Sequence, residues 1–314
     1  MVTNKLYRNP PQYTSHCIRR AKMMKIGVIT RNTDAWCSMQ LRRALEKNNV
    51  SHLFLGFRDL AARVGMHPEV ITEDTTITDL NAMIIRPIGR GSLEEIIFRM
   101  DVLHRLQRSG MLIVNPPLSI ERSVDKYHTL ALFEEHGLPV PQTVVTESLE
   151  EAIKGFNDLG GDVVIKPLFG SRGIGSTRVS DRDVAERLFR AILFYHGVLY
   201  LQRFIQHGDS DIRAFIVGDK VIATMRRVAP NWKTNVSLGA KPVAFDCPEE
   251  MEKLAVGASE ILGCKIAGVD ILESDNGPVI IELNSQPGWR GLQTVASVDI
   301  ADEIVQFVLS EIKN

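Results

Sequence analysis

Apolar and polar positions along this chain follow two different periods. Four short apolar runs read as buried strands: "KIGVIT" from Lys25, "HLFLGF" from His52, "AMIIRPI" from Ala82 and "MLIVNPP" from Met111. Between them the spacing becomes helical. Leu41 and Leu45 stand at i, i+4 in a segment from about Ala35 to Asn48. "SLEEIIFRMDVLHRLQRSG" is amphipathic, with Ser92 placed as N-cap, Glu95 three residues on and Gly110 at the end. Strands alternating with helices predict a parallel α/β sheet over residues 24–117.

From Ser123 the pattern changes. Helices are expected over about 125–136, 149–159 and 182–195, and "LPVPQTVV" is extended. "DVVIKPL" and "GSTRVS" flank a glycine-bearing loop, and "GVLYLQRFI" is a further apolar run. "DIRAFIVGDKVIATMRRV" reads as a hairpin turned at Gly218-Asp219, followed by the helix "EEMEKLAVGASEILG". A second hairpin pairs Ile266–Leu272 with Val279–Leu283, since Asn276-Gly277 and then Pro278 mark the turn. The helix "DIADEIVQFVLSEIK" closes the chain. This order fits an α+β region behind the N-terminal α/β unit, with no internal repeat.

At 314 residues the chain exceeds one ordinary core and is expected to form two or three domains. The expected division is a flexible basic tail at 1–23, an α/β domain at 24–117, a central unit at 118–203 and a C-terminal unit at 204–314. The tail carries Lys5, Arg8, Arg19, Arg20 and Lys22 with no acidic residue, and it lacks the apolar core of a signal peptide. Met24 is an alternative start. A net charge of −1 gives no general pull toward nucleic acid or membrane. No apolar stretch approaches the ~20 residues that span a bilayer. The four cysteines are scattered, as in a reducing cytoplasm, which is the expected location.

The second hairpin carries Asp270, Glu282 and Asn284. Residues two apart on a strand share a face, so Glu282 and Asn284 point the same way. If Asp270 faces them, three hard oxygen donors converge, a set that suits Mg²⁺; the alternative is a solvated hairpin face. "KPLFGSRGIGS" is the other candidate site. Gly170, Gly173 and Gly175 let backbone amides approach a phosphate, although a glycine hairpin can be a plain turn. Lys166 interrupts a buried-looking strand, where an unpaired ammonium is costly. Lys126 in a first helical turn and Asp211 after "QHGDS" each carry a solvated alternative.

In their order these features resemble the ATP-grasp superfamily, and more closely its RimK-type carboxylate–amine ligases. The likeness runs from Met24 through "NPP…ERSVDKYHT", "VIKPLFGSRGIG", "DIRAFIVGDKV", "AGVDIL" and "ELNSQPGWRGLQ". The resemblance implies an ATP-grasp fold behind a pre-ATP-grasp domain. It assigns Lys126, Lys166, Gly170, Ser171, Gly173 and Gly175 to the ATP phosphates, Gln202, Phe204 and Ile205 to the adenine slot, and Asp211 to the ribose. Asp270, Glu282 and Asn284 would hold Mg²⁺, with Mn²⁺ as a substitute, and Arg227 and Lys233 would act at the reacting groups. Two positions depart from the family: Arg203 stands where an acidic residue is common, and Lys233 where arginine is common.

Arg86, Ser285, Trp289 and Arg290 are the candidate substrate contacts. Arg86 and Arg90 follow a parallel strand, where α/β sheets place ligands. Arg290 suits a carboxylate clamp, and Trp289 either stacks on a flat acceptor or packs. The implied reaction joins L-glutamate to an acceptor carboxylate through an acyl phosphate. The acceptor is a coenzyme such as tetrahydromethanopterin, or alternatively a protein tail; a non-catalytic ATP-binding regulator is a third reading, and a homodimer or homotetramer is expected.

Overall fold

The structure, a computed structural model, describes residues 24–72, 76–170 and 173–313, so the basic tail and Ser171 lie outside the described residues. The N-terminal sheet contains β1 (Lys25–Ile29), β2 (Ser51–Leu55), β5 (Ala82–Ile85) and β6 (Leu112–Val114), all parallel in the order β2-β1-β5-β6. Two short strands, β3 (Ala61–Ala62) and β4 (Val70–Ile71), pair beside it. Helix α1 (Trp36–Lys47) covers one face and α2 (Leu93–Arg108) the other, as the alternating pattern predicts. The Ser92–Glu95 capping box is present in both directions, with contacts of 3.2 and 2.9 Å.

Sequence periodicity missed α3 (Pro117–Val124). Its start is nonetheless well formed, because Pro117 sits where a helix has an orphan N–H that proline does not need. It runs into α4 (Lys126–Glu135), capped by the Asp125 carboxylate, which accepts from Tyr127 and His128 amides. A second sheet holds β7 (Thr143–Thr146), β8 (Val163–Lys166), β9 (Thr177–Val179) and β10 (Leu199–Arg203), ordered β7-β10-β8-β9 and antiparallel throughout. Its core packs against α5 (Leu149–Asp158) and α6 (Arg182–Phe194).

The third sheet is antiparallel and comprises β11 (Ser210–Val217), β12 (Lys220–Val228), β13 (Lys241–Ala244), β14 (Ile266–Ser274) and β15 (Gly277–Asn284). Their order is β13-β12-β11-β14-β15. Alternation decides its two faces. Ile212, Ala214, Ile216, Ala267, Val269 and Ile271 pack with α7 (Glu249–Leu262). On the opposite face Phe215, Val217 and Ile266 join a core with α9 (Ile300–Lys313), α1 and the N-terminal sheet. That core also takes Leu292 of the short helix α8 (Arg290–Gln293). Among the described residues no helix is long and apolar enough to cross a membrane.

One side chain fastens the N-terminal sheet to the third. Asn115, 1% exposed at the end of β6, accepts the amides of Lys265 and Ile266 at 2.7 Å each. Its amide group donates to the Ile266 carbonyl at 2.6 Å and to the Ser285 carbonyl. The amide is thus fully used, and it ties the start of β14 to the segment after β15. Replacing Asn115 with Ala removes the partner of four backbone groups, all but the Lys265 amide in buried bonds, so stability is expected to fall by about 3 kcal/mol or more. Asn115→Asp, which keeps the shape but turns an acceptor toward two carbonyls, should also lose stability. Urea midpoints of the two variants against wild type check this.

Candidate active site

Lys166 closes β8 and is held between sheets two and three. Its Nζ donates to Gln202 Oε1 at 2.5 Å, across the antiparallel β8–β10 pair. Burial pushes this ammonium down to about 8, against the upward pull of the Glu282 carboxylate; Lys126 adds repulsion. Lys126, in the first turn of α4, donates to the Gly170 carbonyl at 2.7 Å. It too is held below the ordinary lysine value by burial, opposed by Glu282. Two lysines therefore converge on one carboxylate, in a cleft of about 830 Å³ that includes the solvent at its mouth.

The register of the third sheet confirms that the hairpin donors share a face. Asp270 lies directly opposite Glu282, and Asn284 opposite Gly268, two residues from Asp270. Behind Asp270 stands a buried charge ladder. Arg213 is its cross-strand partner on β11 and grips it through Nε and through Nη2 at 2.9 Å. Arg227 reaches it at 3.0 Å and binds Asp211 with contacts of 2.5 and 2.6 Å. Burial alone would push the Asp270 carboxyl up, but the two guanidiniums hold it below the usual carboxylate range. A side chain at Gly268 would meet Arg213 at 2.5 Å, so this glycine gives the guanidinium its place.

Donor chemistry fits a divalent cation. A carboxylate offers about four lone-pair sites. Arg213 and Arg227 make three contacts to Asp270, which leaves room for one more. Glu282 and Asn284 are half-buried and have no hydrogen-bond partner among the described residues. Hard oxygens held open in this way suit Mg²⁺. No group of three His, Cys, Asp or Glu side chains is placed to hold a metal among the described residues; this set has two carboxylates and an amide.

The remaining expected residues are distributed unevenly. Gly170, Gly173, Gln202, Phe204, Ile205, Asp211 and Lys233 line the cleft with the two lysines, Asp270 and Glu282. Gly173 and Gly175 have φ of 69° and 81°, and a Cβ on Gly173 would collide with Asn235. Arg227 is 4% exposed and engaged by its two aspartates, so it stands behind the cleft rather than in it. Arg203 points to Gln142.

Three substrate expectations need correction. Trp289 is fully buried against Trp36 and Phe215 in the core, so its ring packs and does not stack on a substrate. Arg86 is 6% exposed, lies 4.7 Å over that ring and donates to the Pro287 carbonyl at 2.9 Å; it braces the segment after β15. Ser285 is buried and bonded to Ser123 at 2.6 Å. Arg290, by contrast, is exposed, and its guanidinium has no partner among the described residues.

Arg213, Trp232, Thr234 and Asn235 escaped the sequence reading. Arg213 had a signal, since it lies two residues from Asp211 and so shares its face. Thr234 donates to Asp211 at 2.5 Å. Trp232 edges Phe204 at 6.2 Å, while Arg178 covers the Phe204 ring at 3.5 Å.

A model of the RimK-like ATP-grasp domain matches residues 123–308, more than half of the chain. The tetrahydromethanopterin:α-L-glutamate ligase of Methanococcus maripaludis is 35% identical over 295 residues, covering 92% of this chain and 99% of that one. A probable α-L-glutamate ligase of Trichodesmium erythraeum is 30% identical, covering 91% and 96%. Among solved structures, the ATP-grasp ligase PsnB with its minimal precursor has a TM-score of 0.75 at 19% identity, covering 92% and 99%. A RimK domain protein from Sphaerobacter thermophilus has 0.71 at 20%, covering 91% and 99%. At these identities the two structures bear on the fold. The chain belongs to the RimK-like ATP-grasp family and is an ATP-dependent carbon–nitrogen ligase.

Proposed function

We propose that this ligase joins L-glutamate to the carboxylate of a small coenzyme acceptor, tetrahydromethanopterin or a close analogue. What carries the reading is the end-to-end match to ligases of that name, together with a cleft in which two lysines converge on the Asp270–Glu282 pair. Lys126 and Lys166 bind the ATP phosphates, and the glycine loop between β8 and β9 supplies amides to them and closes over the cleft. Gln202, Phe204 and Ile205 line the base, and Asp211, whose carboxylate is taken up by Arg227 and Thr234, backs the ribose side. Asp270, Glu282 and Asn284 would hold Mg²⁺, which would supply neutralisation of phosphate charge.

The lysines draw negative charge off the γ-phosphoryl group as it passes to an acceptor carboxylate oxygen and ADP leaves. The glutamate nitrogen then attacks the acyl carbon, the C–O bond to phosphate breaks, and the nitrogen loses a proton to give the amide. Lys233, beside Trp232 at the cleft wall, meets the transferred phosphoryl group. Arg213 and Arg227 act through Asp270 by fixing its orientation, a positioning role that costs no reorganisation during reaction. Arg290 receives the glutamate carboxylate through its paired N–H groups. Closure of the glycine loop keeps water from the acyl phosphate.

Glu282→Gln keeps shape but removes a ligand charge. ADP release should fall more than about a hundredfold. The fold should stay intact, since the Glu282 side chain is half-buried and makes no hydrogen bond among the described residues, while Lys126 and Lys166 lose the carboxylate that holds their titration up. Wild-type turnover would remove the metal assignment. Lys166→Ala should weaken ATP binding by roughly tenfold or more, read by calorimetry. The pH dependence gives a separate check. Lys166 titrates at about 8 in the free enzyme, so its charge is present below that pH and lost above it. kcat/KM for ATP should therefore decline as pH rises through about 8. In Lys166→Arg, which stays charged, that limb should disappear.

A further inference from the structure

The loops at the carboxyl ends of the N-terminal parallel strands carry four arginines. Arg31 follows β1, Arg58 follows β2, and Arg86 and Arg90 follow β5. The chain runs outward from β1 in both directions, in the order β2-β1-β5-β6, so the crossover helices diverge at the β1/β5 boundary. Such a boundary leaves a crevice outside the carboxyl ends of its two strands, and open α/β sheets bind ligands there. Arg31 lies across this crevice. A Cβ placed on Gly89, whose φ is 91°, would fall 2.5 Å from Arg31 Cδ. The glycine thus makes room for the arginine stem at the boundary itself.

Three of these guanidiniums are open to a ligand. Arg31, Arg58 and Arg90 are exposed, and among the described residues none has an acidic or hydrogen-bonding partner for its guanidinium. Among the nearby carboxylates only Glu95 is spent on another cation, Arg99 at 3.1 Å; Asp59, which accepts the Gly56 amide at 2.6 Å, keeps its charge, as do Asp34 and Glu94, so the edge presents open guanidiniums rather than a large net charge. The edge also adjoins the reaction centre. Gln286, two residues beyond Asn284, accepts the Ile88 amide at 3.3 Å, and Arg86 holds Pro287. The Gln286 Nε2 donor is buried at this seam without a partner.

We infer that the β1/β5 crevice binds an acceptor through anionic groups additional to the carboxylate that reacts, with Arg31 and Arg90 as the flanking contacts and Arg58 outside them. This rests on the proposed ligase reading and adds the substrate class: a polyanionic acceptor, its reactive carboxylate at the hairpin and its other charges on the arginine edge. Paired N–H groups on each guanidinium match carboxylate or phosphate oxygens.

The test compares full-length wild type with the Arg31→Ser/Arg90→Ser double variant. With tetrahydromethanopterin as acceptor, the acceptor KM should rise at least about tenfold in the variant, while the KM values for ATP and L-glutamate stay within about twofold. Inorganic phosphate is then titrated calorimetrically into each protein saturated with a non-hydrolysable ATP analogue, so that the nucleotide cleft is filled. Wild type should bind it at least about tenfold more tightly than the variant. An unmoved acceptor KM in an active variant, or phosphate bound equally by both proteins, overturns the inference. Should wild type fail to modify tetrahydromethanopterin while phosphate binding still depends on the arginines, the anion site stands and the coenzyme reading falls.

Discussion

Two arginines and two aspartates buried on one face of the third sheet constrain everything around them. Arg213, Asp270, Arg227 and Asp211 are each less than a tenth exposed, and their charges cancel only as a set. Removing one partner of a buried pair leaves an uncompensated charge and costs about 3–5 kcal/mol. The strand register is therefore pinned by more than apolar packing. A slip of one residue would carry the arginines into the core formed with α7 and bring Ile212 and Ala214 to the cleft. Gly268 and Thr234 are consequences of the same ladder, one clearing space for Arg213 and the other satisfying Asp211.

The ladder also explains the polarity of the cleft. Asp270 is neutralised from behind, so the negative charge facing the lysines comes chiefly from Glu282. Half-buried lysines facing a single free carboxylate are under-compensated. Such an arrangement favours an incoming polyphosphate, which replaces lost hydration with fixed opposite charge. Burial, ahead of repulsion from Lys126, lowers the titration point of Lys166, and its bond to Gln202 aims the ammonium.

What the sequence made legible follows from what is local. Asp270 opposite Glu282 could not be read, because the register shifts between Asp270 and Ile271; that Glu282 and Asn284 share a face could, because a strand has a period of two. The glycine loop, the capping box at Ser92 and the alternation of the N-terminal sheet were legible for the same reason. The Asp211–Arg227 pair was not, because it needs the β11–β12 register, and that pair contains an irregularity at Phe215/Ile216. Trp289 misled because proximity to Asn284 in sequence says nothing of direction: Pro287 and Gly288 turn the chain so that the indole enters the core beneath Arg86. Asn115 gave no signal at all, since its four partners lie some 150 or more positions away.

These differences separate two parts of the molecule by how tightly they are determined. The reacting centre sits on strands whose register, charge balance and face are fixed by one another, so a change there propagates. The loops after β1, β2 and β5 are tied to the sheet mainly by backbone bonds, such as Thr30 to Leu55 at 2.9 Å and Arg86 to Ile29 at 2.9 Å. Exposed side chains on those loops, Arg31, Arg58 and Arg90 among them, can be exchanged without disturbing a buried charge, unlike Arg86, and such substitutions usually cost within ±0.5 kcal/mol. On the proposed reading, the chemistry of activation and the choice of acceptor thus fall to elements with different energetic penalties for change. The seam between them, where Arg86 and Ile88 meet Pro287 and Gln286, holds the two at a fixed separation. That separation sets how far an acceptor's outlying charges lie from its reacting carboxylate.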